Sequence, residues 1–321
     1  MSASPARVRP RTTGSYIALN EERTATPVLL EAHAMKFSFS ETMCDPSHLV
    51  PLAIEADQAG YDSFGIPDSI CYPEEAVGRY PYNDDGSREF LDGAPFIDPF
   101  VLAASMAAVT ERIVFETGVV KLPIRNPVLV AKTVSSLAVI TNNRFVLGVG
   151  LSPWIEDFQV CAQDWKTRGK RMGEMIEIIR GLMSGEYFGY QSEHYDIPRI
   201  KMCPVPTQPI KVLYGGHTEA AYRRAARLCD GFYFTGATEP EVLERMATIH
   251  EYRREYGTDG RPFAIHAGLP FSSLDDIKRL EDLGIDQLVF GTRGGYQKDR
   301  LDLEQKREIL RRFADDVISK L

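Results

Sequence analysis

The sequence has no C-x-x-C pair. Its five cysteines, Cys44, Cys71, Cys161, Cys203 and Cys229, are widely spaced and odd in number, which excludes a complete disulfide framework and offers no zinc-site spacing. They read as reduced thiols. The six histidines form no cluster with Asp or Glu at ligand spacing, so no metal is expected. No apolar run approaches the ~18 residues of a membrane-spanning helix, and the amino terminus lacks the apolar stretch of a secretory signal. A cytoplasmic protein without a membrane partner is the expectation. There is also no basic block. Against 45 acidic residues stand 37 basic ones, a formal net charge of −8, which repels phosphate backbones and argues against nucleic acid as a partner. What is present, 44% hydrophobic and 26% charged residues, is the composition of a globular protein with a large core.

Residues 1–34 are rich in Ser, Thr, Arg, Ala and Pro without sustained periodicity, and the first strand-like run, MKFSFS, starts at Met35. The expected organisation is an amino-terminal extension over 1–34, as a tail or an arm on a partner subunit, and one domain over 35–321. From Lys36 onward, short apolar runs alternate with amphipathic stretches. KFSFS, DSFGI, RIVFET, RFVLGVG, IKVLYGG, GFYFTG, FAIHAG and DQLVFG each precede a helical pattern, giving eight βα units. The runs are near-continuously apolar, as parallel strands buried on both faces require. Over Lys170–Met183, Met172, Met175, Ile176, Ile179, Leu182 and Met183 recur at helical spacing, with Arg171, Glu174, Glu177 and Arg180 on the opposite face. Such units close most simply into a (β/α)8 TIM barrel; a doubly wound open sheet is the alternative.

Two segments exceed an ordinary connection: Cys71–Ile97 after the second strand and Gly185–Pro209 before the fifth. Long connections in a compact domain are usually lids or insertions. The first carries Tyr72, Tyr80, Tyr82, Phe90 and Phe96 and is expected over the barrel mouth, while EYFGYQSEHYDI in the second reads as a hairpin.

Barrel enzymes place their chemistry at the carboxyl ends of the strands. Asp68 stands just past the second strand, where a carboxylate can accept a hydrogen bond or relay a proton. Gly215 and Gly216 end the fifth, Thr218 is placed to cap the next helix, and the free N–H groups there make a phosphate-sized anion site. Arg223, Arg224 and Arg227 either extend that site or form an exposed helix face. After the fourth strand, GVGLSPW over Gly148–Trp154 presents Leu151 and Pro153, which points to a rather apolar small organic substrate. Arg293 and Arg300 follow the eighth strand, either to hold an acidic group or as loop charge.

Taken in order, DSFGIPDSI, TGVVKLPIRNP, RFVLGVGLSPWIEDF and VLYGGHTEAAYRRAARLCDGF closely resemble the luciferase-like flavin and deazaflavin oxidoreductases across nearly all of Met35–Leu321. RYPYNDDGSREFLDGAPFIDPF, over Arg79–Phe100, resembles the branch assigned to the deazaflavin F420. The resemblance implies a non-proline cis peptide at Gly118–Val119, after Thr117, supporting the cofactor ring. It also implies a pocket shaped by Gly150 and Leu151, with phosphate contacts from Gly215, Gly216 and His217. Many relatives have histidine after the acid matching Asp68; here Ser69 stands there, and a serine hydroxyl is no general acid near neutral pH without help. The catalytic candidates are therefore Asp68, Ser69 and His266, with His194 and His217 as other donors. F420 is the expected cofactor, exchanging a hydride with the substrate. FMN is the alternative, reduced by a partner enzyme for a monooxygenase reaction, and a non-catalytic flavin-binding barrel is the third possibility. Relatives are commonly homodimers through barrel helices, and the same is expected here.

Overall fold

A computed structural model describes residues 35–75, 78–80, 86–294 and 297–321; the extension over 1–34 and Tyr82 lie outside the described residues. Eight parallel strands close into a barrel: β1 (Lys36–Ser40), β2 (Ser63–Ile66), β3 (Val114–Thr117), β5 (Phe145–Gly150), β8 (Val212–Gly215), β9 (Gly231–Phe234), β10 (Ala264–Ala267) and β11 (Gln287–Phe290). Pairing of β1 with β11, and of Phe115 in β3 with Phe145 in β5, joins the ends of the ring. The (β/α)8 expectation is met in all eight strand positions. A two-residue strand that periodicity did not reveal, β4 (Val120–Lys121), resumes the line of β3 and pairs with β5.

Helices α1 (Pro46–Ala59), α2 (Pro99–Ala107), α3 (Pro127–Ile140), α5 (Arg168–Leu182), α6 (Glu219–Leu228), α7 (Glu239–Glu255), α8 (Leu274–Asp282) and α9 (Leu303–Asp316) follow the strands, with a short α4 (Ile155–Val160) before α5. Three of them start by one local device. Asp45, Asp98 and Asn126 each precede a proline and accept N–H hydrogen bonds from the first turn, so the side chain satisfies orphan donors while proline fixes the helical φ. Outward strand residues and helices bury one aromatic layer, in which Phe313 of α9 meets Phe37, Phe290 and Tyr61 at centroid distances of 5.4, 4.2 and 5.7 Å. The predicted hairpin is present as antiparallel β6 (Phe188–Gln191) and β7 (Asp196–Ile200).

Two sequence expectations are corrected. Arg171, read as solvent-facing, is buried. Its guanidinium donates to the carbonyls of Pro123 and Asp164, both at 2.8 Å, and to Gln163 Oε1 at 3.0 Å, because the first turns of α5 face the loop after β4 rather than water. The strands are also not apolar on both faces. Ser38, Ser63, Glu116, His266 and Gln287 are buried polar residues within them, joined by side-chain hydrogen bonds across the ring.

Candidate active site

At the carboxyl end of β3 the chain turns through the Gly118–Val119 peptide, which is cis. Gly118 N–H donates to the Ile66 carbonyl at 2.8 Å, and Thr117 Oγ1 donates to the Gly148 carbonyl at 2.7 Å, tying the bulge to β2 and β5. Val119 then projects between two strands that offer no side chain. A Cβ on Gly150 would come within 2.6 Å of Val119 Cγ2, and one on Gly215 within 2.9 Å of its Cγ1. Glycine is needed at these places for close approach. Thr117, Gly118, Val119, Gly150 and Gly215 are thus one contiguous wall, with Leu151 half-buried beside it.

Gly216 and half-buried His217 lead from that wall into α6. Thr218 Oγ1 accepts the Ala221 N–H at 3.3 Å, the cap expected, and leaves the other first-turn N–H groups as a positive helix end. Burial lowers the pKa of His217, and Arg245 adds to the effect. Arg223 and Arg227 turn outward to Glu219, Glu255 and Glu177, matching the exposed-face reading. Arg224 lies 3.4 Å from the Tyr214 hydroxyl.

Asp68 is placed at the mouth in a closed arrangement. Its carboxylate accepts Lys121 N–H at 2.8 Å and forms a two-pronged pair with Arg125 at 2.8 and 2.9 Å, its side chain 1% exposed. The carboxylate is fully engaged in holding the chain after the bulge, and Ser69 beside it is half-buried. The neighbouring loop is more charged than GVGLSPW implied. Ser152 donates to Asp157, which pairs with Lys121 at 2.7 Å. Arg88 bonds Glu156 at 3.3 Å and lies 3.6 Å over the Trp154 ring, on which Tyr80 of the first insertion also stacks.

Under the bulge is the polar floor. Oε1 of Glu116 accepts from Ser38, Ser63 and Gln287 at 2.6, 3.0 and 2.7 Å, and its Oε2 lies 3.0 Å from His266 Nδ1. Burial acts to raise the Glu116 pKa, but the His266 charge and hydrogen bonds from His266, Ser38 and Ser63 outweigh it and the net shift is downward. Tyr233 lies next to His266, its hydroxyl 3.3 Å from where a Gly118 Cβ would stand. Burial, with Glu116 adding, pushes its phenol well up, so it stays a donor. Of the remaining candidates, His194 sits in the hairpin turn, where its N–H donates to Ser192. Arg293 is held against Glu41 at 3.4 Å and Arg300 is exposed.

Glu116, Tyr233, Gln287, Lys121, Arg125 and Arg88 were not singled out from sequence. The one available signal was an acid inside the apolar run RIVFET; the others have partners distant in the chain.

Residues 29–317 match the profile of the luciferase-like monooxygenase family. An uncharacterized protein of Mycobacterium tuberculosis is 48% identical over 291 residues, covering 89% of this chain and 100% of its own length. The F420-dependent glucose-6-phosphate dehydrogenase of Nakamurella multipartita is 28% identical over 200 residues, 61% of this chain and 54% of that protein. Among solved structures, the monooxygenase RslO1 of Streptomyces bottropensis superposes with a TM-score of 0.70 at 16% identity, covering 89% of this chain and 99% of that one.

Proposed function

The chain belongs to the luciferase-like monooxygenase family, and we propose that it is an F420-dependent oxidoreductase that moves a hydride between the deazaflavin and a small, rather apolar organic compound. The observation that carries this reading is the Gly118–Val119 bulge, whose Val119 side chain is seated on Gly150 and Gly215, next to the amino end of α6. The residues fit the cofactor: Val119, seated on Gly150 and Gly215, gives a flat ring an apolar backing, and a Cβ at Gly216 would lie 2.9 Å from Ala221 Cβ beside the phosphate-sized helix end. When bound, the deazaflavin supplies the hydride chemistry. Gly118 and Val119 would back the ring, Gly216, His217 and the first turn of α6 would hold the phosphate, and Tyr80, Arg88 and Trp154 would wall off water. The F420 dependence of the Nakamurella relative favours the deazaflavin. Its sugar-phosphate substrate is not carried over, since Leu151 and Pro153 stand at the pocket loop.

The second reading, an FMN monooxygenase served by a separate reductase, uses the same wall and phosphate site. Oxygen uptake separates the two, because a deazaflavin reacts poorly with oxygen. Reduced F420 consumed by an organic acceptor without oxygen uptake supports the first reading; oxygen uptake with reduced FMN and incorporation into product replaces it. We also propose a homodimer through α2 and α3, where Val101 and Leu129 are 64% and 67% exposed. Light scattering of Val101→Glu/Leu129→Glu should give a monomer where the unaltered chain gives a dimer.

A further inference from the structure

A barrel interior is normally filled by branched apolar side chains; here one layer is hydrogen-bonded and carries a buried acid. Glu116 receives three donors on Oε1, leaving Oε2 for His266 Nδ1 at 3.0 Å. Gln287 Nε2 also lies 3.0 Å from Nδ1, but a bare Nδ1 would set a second acceptor against the Glu116 carboxylate at the same distance, so the proton is assigned to Nδ1, which donates to Oε2. Both described polar contacts of the ring are made by Nδ1. Nε2 makes no described hydrogen bond and the His266 side chain is 11% exposed, which leaves that nitrogen for a ligand. Of the other acid–base candidates, the Asp68 carboxylate is taken by Arg125, Ser69 carries a hydroxyl that is no general acid near neutral pH, and His217 stands just before the first turn of α6.

We propose that His266 is the acid–base group of this site, with Glu116 its positioning residue, and that the organic substrate is an aldehyde, ketone or imine, or its alcohol or amine in reverse. The inference rests on the hydride-transfer reading above. In the reducing direction the hydride and its electron pair add to the carbon of the C=O or C=N bond, and the π pair moves to the heteroatom. That atom takes the proton from His266 Nε2, and the cofactor is left oxidised. The imidazole regains its proton from water at the mouth. Glu116 stabilises the imidazolium and fixes the ring, and the Tyr233 O–H, beneath Gly118, offers a second donor to the developing charge. An unactivated alkene would develop no such charge over these donors.

The test has three parts on the full chain. First, F420 and FMN binding is measured for wild type, His266→Gln, Glu116→Gln and Glu116→Asp; failure of wild type to bind either defeats the cofactor reading itself. Second, reduced cofactor is mixed with a panel of aldehydes, ketones and imines. We expect turnover of at least one by wild type, a loss of about 100-fold or more in kcat for His266→Gln, a smaller loss for Glu116→Gln with KM little changed, and partial rescue by Glu116→Asp. Cofactor binding without turnover of any panel member, or a His266→Gln kcat within threefold of wild type, overturns the inference and leaves the cofactor reading standing. Third, carbon NMR of the Glu116 carboxyl, which needs no substrate, should show a midpoint below the ordinary value of 4.5 that rises in His266→Gln, where burial acts unopposed. A midpoint unmoved by that substitution means the two groups are not an ionised pair and also overturns it.

Discussion

Around Val119 the barrel mouth is built from glycines, because Gly148, Gly150 and Gly215 leave room for the bulge and the Val119 side chain, whereas across the ring, at β1 and β11, it is filled by charged groups that satisfy one another. There Glu41 accepts from Thr292 and pairs with Arg293 at 3.4 Å, while Lys306, fully buried, sits 2.5 Å from Asp299 and 3.8 Å from Glu41. Lys306 and Arg293 already supply the positive charge that the grouped Glu41, Cys44 and Asp299 would otherwise draw from a metal ion. The Cys44 thiol beside them is pushed up to about 11 by burial, so it is protonated at neutral pH. The difference separates two tasks: the bare arc is shaped to receive a flat molecule, and the charged arc fastens the loops after β1 and β11 to α9.

The largest expected effect comes from breaking the charged arc. Lys306→Met removes a fully buried cation from between two carboxylates and should lower unfolding free energy by about 3–5 kcal/mol in chemical denaturation, with cofactor affinity of the folded fraction retained. Breaking the bare arc comes next. A Cβ at Gly148 would lie 1.8 Å from the Thr117 carbonyl oxygen, so Gly148→Ala should cost about 3 kcal/mol and also weaken cofactor binding. If binding survives unchanged, the wall is not the ring site.

A smaller effect sharpens the contrast through pH. The Glu116 pKa is depressed in the folded state from its ordinary 4.5, so its contribution to stability is fully present above that value and is lost as pH falls through the lower folded value. The melting temperature of wild type should therefore drop more steeply below pH 4.5 than that of Glu116→Gln; parallel curves would mean that the carboxylate is not stabilised in the fold. The smallest effect lies outside both arcs. Arg223 is paired on the surface with Glu219 and Glu255, and Arg223→Ala should change neither melting temperature nor cofactor affinity measurably.

The barrel was legible because a strand buried on both faces reads as an apolar run and a covering helix repeats its apolar residues at helical spacing. The wall was legible because glycine stands where backbones approach, and the resemblance supplied its register at Gly118–Val119. The floor was not. Within RIVFET the acid stands out, but nothing tells whether Glu116 points inward or outward, and its partner Gln287 lies 171 residues away. Asp68 shows the same limit. Its place after β2 marked it as an acceptor for the cofactor or a neighbouring residue, or as a proton relay, but did not point to Arg125, 57 residues on, as the group that takes its carboxylate. Arg171 was misread because its helix face meets a loop that periodicity does not describe.

The central claim, that the bare arc and the start of α6 hold a deazaflavin, is tested most directly by calorimetric titration of oxidised F420 and of FMN, side by side, into wild type and Gly216→Trp. Wild type should bind F420 preferentially, and Gly216→Trp should lose that binding even in its folded fraction, with some fall in melting temperature because a Cβ there presses on Ala221 Cβ. F420 affinity undiminished by the tryptophan would contradict the placement of the site, and preferential binding of FMN would contradict the choice of cofactor.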